Sequence, residues 1–324
     1  MTTSKRNSLK WFLCALTFAV LAFAPATSAM AEKYPSSPIT VIIPWPPGGG
    51  ADTTVRMLSG QLEKDLGVPI VVRNIPGAAS MTGMAALWRA KPDGYTIGMT
   101  YVQHTAANEV FNKDKVPYKT LGFEFIGEYA EVHYMVAVPT KSKYKTIQDL
   151  TSSKDKVRFC VPAPNGTEAL SALILSKATG MNLALVSGYK GAAPSILGAL
   201  KGECDAVNFG AALKKTIDAG DLRPLMVYSM EKSPWFPDVP DVADLKITPN
   251  LVSIGSLNFV MWAPPKTPKD KLAILQNAMM KAAKANAEGI KKRYLTLRLL
   301  DGDQTRKVVE QVMETTEAAK KLIK

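Results

Sequence analysis

Residues 39–58 constrain this chain more than any other stretch, because they set three consecutive glycines between a strand and a helix. Ile39, Val41, Ile42 and Ile43 have the apolar, β-branched character of a short buried strand. Gly48, Gly49 and Gly50 follow, and Asp52 and Thr53 open a helix whose apolar face is Val55, Leu58, Leu62 and Leu66. Glycines at such a turn let unshielded backbone N–H groups approach a ligand. The helix N-terminus behind them favours an anion. A nucleotide would suit the same arrangement, so the rest of the chain has to discriminate.

The first 31 residues read as a leader. Lys5, Arg6 and Lys10 precede an apolar run from Trp11 to Ala24 that is too short to span a bilayer, and Ala29-Met30-Ala31 gives a small-x-small cleavage pattern. Cleavage after Ala31 and a periplasmic mature protein are expected. Cys14 sits inside the apolar run without the small residue before it that lipidation needs. The full chain carries +12, of which the leader contributes three bases and no acids, leaving +9 on residues 32–324. That excess is spread in short groups such as Lys214-Lys215 and Lys291-Lys292-Arg293, without the aromatic interleaving of a nucleic-acid face. It biases encounters toward small anions.

Enzyme chemistry finds little to work with. The chain has no GxSxG elbow, no lysine placed after the glycines as in a P-loop, and no GxGxxG spacing. His104 and His133 are its only histidines, and Cys160 and Cys204 belong to no CxxC group, which argues against a zinc site. No cofactor is expected. Cys160 falls near the end of an apparent strand (157–161) and Cys204 just before the start of another (205–209). On parallel neighbouring strands those positions lie beyond disulfide reach, so two free, buried thiols are expected.

Strand and helix signals alternate along two stretches. Strands at 39–43, 70–73 and 95–99 lead into loops 44–51, 74–80 and 100–105, with helices near 52–66 and 80–91. After 123–130, the apolar run 132–139 reads as a strand crossing into a second unit. There strands at 157–161, 185–189 and 205–209 lead into loops 162–167, 190–194 and 210–212. Residues 257–263 read as the return strand, and two amphipathic helices (Leu272, Leu275, Met279; Val308, Val309, Val312, Met313) close the first unit. The expected fold is α/β: two doubly wound lobes, 32–131 with 260–324 and 132–259, joined by a two-strand hinge. Ligands of open α/β sheets bind beyond the strands' carboxyl ends. Six loops then form two walls of one cleft, and no inward arginine is evident in them, leaving backbone N–H groups to hold a carboxylate.

The order of the short motifs carries more than any one of them. Tyr34-Pro35, the Pro44-Trp45…Gly48-Gly49…Asp52 loop, Asn74-Ile-Pro-Gly-Ala78, Pro92-Asp-Gly-Tyr-Thr96 and Tyr189-Lys-Gly-Ala-Ala-Pro194 appear in sequence. Gly202-Glu-Cys-Asp205, Leu222-Arg-Pro-Leu225, Pro237-Asp-Val-Pro240 and Ala263-Pro-Pro265 follow. Together they resemble the Bug family, the substrate-binding proteins of tripartite tricarboxylate transporters. The resemblance implies a type II periplasmic binding protein fold, a monomer that captures a small carboxylate by domain closure, and delivery to membrane permease subunits. It also implies that loops 44–53 and 189–194 pinch the ligand. Presentation of the loaded protein to a membrane receptor is the alternative role. The chain departs from the family pattern at Pro46 and Pro47, which stiffen the first loop, at Ala79, at Asn165-Gly-Thr-Glu-Ala169, at Asp241, and at Leu257-Asn-Phe259, where a tryptophan is customary.

The candidate ligand-binding residues are Trp45, Gly48, Gly49, Gly50, Ala51 and Asp52 from the first loop, with Ala78, Ala79, Ser80 and Thr100 beside them. The second unit contributes Thr167, Glu168, Tyr189, Gly191, Ala192, Ala193, Phe209 and Gly210. Several have a structural alternative. Asp52 suits a helix N-cap, Thr167 likewise, and Trp45 suits packing. Glu168 either complements a helix N-terminus or recognises a hydroxyl, amide or ammonium group of a ligand. His104 follows the third strand and either reaches the cleft mouth or is a solvated loop histidine, the latter being the preferred reading.

Overall fold

Strand and helix alternate from residue 39 onward, and the alternation builds two separate sheets. The computed structural model describes residues 33–246 and 250–323. The leader expected over 1–31, with Cys14 and the cleavage point, lies outside the described residues. The first run is β1 (Ile39–Ile43), α1 (Gly50–Leu66), β2 (Ile70–Asn74), α2 (Met81–Trp88), β3 (Thr96–Tyr101), α3 (Val102–Phe111) and β4 (Glu124–His133). The second is β5 (Met135–Pro139), α4 (Ile147–Thr151), β6 (Val157–Val161), α5 (Thr167–Thr179), β7 (Leu183–Ser187), α6 (Ala192–Leu200), β8 (Ala206–Phe209), α7 (Lys214–Asp218) and β9 (Leu222–Val227). The chain closes with α8 (Asn250–Ile254), β10 (Ser256–Ala263), α9 (Lys269–Ala285), α10 (Ala287–Lys291), β11 (Thr296–Leu300) and α11 (Gly302–Ile323).

The first sheet has the order β11-β4-β10-β3-β1-β2 and the second β7-β6-β8-β5-β9. The inner connections β1–β2, β1–β3, β6–β7 and β6–β8 are parallel, as crossover helices require. Both sheets are nonetheless mixed. The returning β10 inserts antiparallel between β3 and β4, and β5 runs antiparallel to β8 and β9. A chain that leaves one sheet and comes back must traverse each in the opposite sense.

The expected crossing strand 132–139 is broken at Tyr134, which belongs to neither sheet. Its N–H donates to the Gly255 carbonyl (2.7 Å), and its carbonyl accepts from Tyr228 N–H (2.9 Å). Three chain segments therefore meet at one residue between the sheets. A Cβ on Gly255 would lie 2.4 Å from the Tyr228 ring, so only glycine permits this approach. The C-terminal helix also differs from expectation. In α11, Val309 and Val312 pack with Phe123 and Trp262 of the first sheet, but Ala319 joins the second sheet's core with Leu170 and Leu175. Rather than covering one lobe, it straddles both.

The cysteine expectation is corrected: Cys160 and Cys204 form a disulfide, with Cα atoms 5.7 Å apart. Side chains alternate across β6, so Val157, Phe159 and Val161 enter one core and Cys160 the other. Cys160 is in register with Val207. An extended chain would leave Cys204, three residues earlier, roughly 10 Å short. Instead residues 201–205 turn off the end of α6 and pass over the sheet face, so Cys204 reaches Cys160 with Ile196 and Ala199 around it.

Candidate functional site

The carboxyl ends of six strands converge on one cavity of about 750 Å³. Trp45 follows β1, Ala79 follows β2, and Tyr101 ends β3; Pro162 follows β6, Gly191 follows β7, and Phe209 ends β8. Four helices begin here, α1, α3, α5 and α6, and none has a side-chain cap on its N-terminal N–H groups. The N–H groups left unpaired at these starts give the cavity a positive backbone potential, reduced at α1, where the Tyr101 hydroxyl accepts from Ala51 N–H, and at α5, where Glu168 accepts from its own N–H.

On the first-sheet side, Asp52 organises the glycine loop instead of capping the helix. The N-cap is Gly49, and Asp52 lies in the first turn of α1, almost wholly buried. Its Oδ2 accepts from Gly48 N–H (2.9 Å), Oδ1 accepts from Asn74 Nδ2 (3.0 Å), and Arg56 Nε donates to both oxygens (3.0 Å). Asn74 also donates to the Trp45 carbonyl (3.0 Å), which ties both ends of the loop to one carboxylate. Burial alone would raise the Asp52 pKa; Arg56, Gly48 N–H and Asn74 outweigh it and hold the carboxyl below its ordinary value. The next loop is strained. Ala78, Ala79 and Ser80 all have positive φ (47°, 51° and 82°), with Asn108 Nδ2 donating to the Ala79 carbonyl (2.7 Å) and Ser80 Oγ (3.2 Å).

An aromatic wall rises between these loops. Trp45 meets the His104 ring edge-on at 4.9 Å, His104 lies 5.5 Å from Tyr101, and Tyr101 stacks edge-to-face on Phe259 at 4.8 Å. The Tyr101 hydroxyl accepts from Ala51 N–H, joining the wall to the start of α1. His104 is not a solvated loop residue: it lies in the first turn of α3, and burial depresses its pKa to about 4. The imidazole is neutral at pH 7. Trp45 Nε1 and His104 Nδ1 are buried and have no hydrogen-bond partner among the described residues.

The second-sheet side contributes the charge. Glu168 is the second residue of α5, half-buried, with its carboxylate against the cavity. Its Oε1 accepts from the Tyr134 hydroxyl (3.0 Å) and the carboxylate also accepts from its own N–H. Burial raises its pKa, with those two donors opposing the rise. Thr167, the first helical residue, is buried, and its Oγ1 has no partner among the described residues. It is not the cap; Gly166 holds that position.

Among the expected residues, Trp45, Gly50, Ala79, Glu168, Gly191, Ala192, Phe209 and Gly210 line the cavity. Gly48 and Gly49 are exposed along the loop, and Ala51 and Asp52 lie beneath it. Ser80 and Thr100 are buried behind the wall, where the Thr100 carbonyl accepts from Trp262 Nε1 (3.3 Å). Ala78 and Ala193 are exposed and off the cavity. Tyr189 also stands off: its hydroxyl donates to Glu203 (2.6 Å) and lies 3.2 Å from Cys160 Sγ. Sequence reasoning missed Thr53, Tyr134 and the segment Lys292–Leu295, which reaches the cavity between α10 and β11. Arg293 and Lys292 place cations at its exposed rim, with the Arg293 guanidinium donating to the Gly289 carbonyl (3.1 Å) rather than turning inward. The signal was the basic triplet 291–293, read only as one of the short groups over which the positive charge is spread.

Comparison with known proteins follows the same line. A family model described as "Tripartite tricarboxylate transporter family receptor" matches residues 54–324. Protein BugT of Bordetella pertussis is 29% identical over 290 residues, 87% of each chain. A solved periplasmic transporter is 26% identical with a TM-score of 0.74, covering 89% of this chain and 97% of its own. Two more distant structures, each 20% identical, share the fold. MatC from Rhodopseudomonas palustris, with bound malate, has a TM-score of 0.70 over 88% of this chain and 99% of its own. R. palustris Rpa4515, with adipate, has a TM-score of 0.72 over 90% and 98%.

Proposed function

The chain belongs to the tripartite tricarboxylate transporter receptor family, a family of solute receptors rather than enzymes, and from this premise we propose that it captures an organic acid in the cleft between its two sheets and delivers it to membrane permease subunits. The convergence of six strand ends and four uncapped helix starts on one cavity carries the reading. Backbone N–H groups at those starts hold the ligand's carboxylate, with Gly50 of the first loop and Gly191 and Ala192 of the second on opposite walls. Binding of malate by MatC and of adipate by Rpa4515 supports a carboxylate as the ligand class. The leader read in residues 1–31 supports export to the periplasm, and the chain pivots about Tyr134 as its two halves close.

Thermal-shift screening tests the ligand class, since a ligand that binds only the native state raises Tm. Organic acids are expected to raise it, and sugars are not. Small-angle scattering with the best acid is expected to show a smaller radius of gyration. A Tm response to sugars with none to any carboxylate overturns the reading.

A further inference from the structure

Aromatic side chains line the cavity on both sides. Its first-sheet wall is the continuous series Trp45, His104, Tyr101 and Phe259, with the imidazole neutral. The facing wall carries Phe209 and Tyr134, ring centroids 6.5 Å apart. At about 750 Å³ before closure, the space is large enough to admit a ring-sized ligand. Aromatic walls on two sides reward a flat apolar body, by area removed from water and by ring–ring geometry.

Charge placement adds a second, independent constraint. Glu168 occupies the start of α5, so this helix N-terminus already faces a carboxylate of the protein's own. The Tyr134 hydroxyl donates to it, and it stands in the cavity as an acceptor. A second ligand carboxylate there would meet a like charge, whereas a ligand hydroxyl or amine would donate to it. The rim cations Lys292 and Arg293 lie on the other half of the molecule and do not neutralise Glu168 by any ion pair among the described residues.

We propose that the cleft selects a monocarboxylate carried on an aromatic body, with a hydrogen-bond donor at the far end that meets Glu168. This rests on the carboxylate-receptor reading above and narrows it. Trp45 and Tyr101 are specificity-determining through stacking, and Glu168 discriminates a donor from a second acid.

Calorimetry with the purified protein tests this with benzoate, 4-hydroxybenzoate, 3-(4-hydroxyphenyl)propionate, terephthalate, malate and adipate. A hydroxyaryl acid is expected to bind at least tenfold tighter than malate, adipate or terephthalate, and several-fold tighter than benzoate. Glu168→Gln is expected to remove most of the preference over terephthalate, and Trp45→Ala to weaken aryl acids tenfold or more. The wild-type order is decisive even where a variant fails to fold. If malate or adipate binds tighter than every aryl acid, this proposal falls and the receptor reading stands. Terephthalate equal to or better than the hydroxyaryl acids overturns the role of Glu168. No binding by any of the six overturns this proposal, and the receptor reading then rests on the thermal-shift screen.

Discussion

The two glycine loops that face each other across the cleft are held in opposite ways. Loop 44–50 is fixed by charge: one buried carboxylate, Asp52, collects Gly48 N–H, Asn74 and Arg56, and Asn74 carries the restraint on to Trp45. Loop 188–191 is fixed from behind. The Tyr189 ring sits over Gly198 of α6, where a Cβ would lie 2.7 Å from its hydroxyl, and that hydroxyl rests against the Cys160–Cys204 disulfide. A loop held by ionised hydrogen bonds responds to pH, and one backed by a covalent link responds to redox conditions. Each jaw of the cleft thus has its own vulnerability.

Removing the covalent support has the largest expected effect. With a sequence separation of 44 between the cysteines, loop-closure entropy gives the disulfide about 4 kcal/mol. The Cys160→Ser, Cys204→Ser double variant should therefore unfold at markedly lower denaturant concentration, by the same margin at pH 4 and pH 7. A loss under 1 kcal/mol would show that α6 and the trailing turn hold their place without the bond.

The charged latch should contribute less and depend on pH. Asp52→Asn removes a buried charge that accepts several hydrogen bonds, at a cost of about 2–3 kcal/mol at pH 7. The folded-state pKa of Asp52 is depressed, so its stabilisation is complete above the unfolded value, about 3.9, and disappears as pH falls through the lower folded value. The gap between wild type and variant should accordingly be constant from pH 5 to 7 and close below about pH 4. A gap independent of pH down to 2.5 would mean that the carboxylate's charge is irrelevant to the latch.

The smallest contrast lies in the backbone of the loops. Gly191 has φ 108°, a conformation that a Cβ penalises, so Gly191→Ala should destabilise by about 1–3 kcal/mol. Ala79 already sits at φ 51° with a Cβ. Ala79→Gly relieves about 1 kcal/mol of strain but adds a similar entropy loss on folding, leaving stability within about 0.5 kcal/mol. Comparable melting temperatures for the two variants would remove this distinction between the jaws.

How much was legible in the chain depended on the range of the interaction. The strand–glycine–helix unit at 39–66 was readable because strand pairing faces, glycine turns and the helical apolar stripe are local properties with fixed periods. Helix boundaries slipped by a residue or two where the cap was a glycine, which is why capping stood as the structural alternative for Asp52 and Thr167 although each lies inside its helix. His104 was placed in a loop because β3 runs on to Tyr101 and α3 starts at once, without a turn residue to mark the join.

The sequence by itself determined the alternation of elements, the six loops at strand ends, the membership implied by its ordered motifs and the shortage of catalytic groups. These follow from periodicity, turn chemistry and residue inventory, each of which acts over a few neighbouring positions. Tertiary structure alone decided which distant groups meet: Cys160 with Cys204, Tyr134 with Glu168, and the basic segment 292–293 with the cleft rim. It also decided that α11 spans both sheets and that aromatic rings from β1, β3 and β10 assemble into one wall. Such encounters depend on where the chain crosses between sheets, and burial then sets the charge of what it encloses, as with the neutral His104 imidazole.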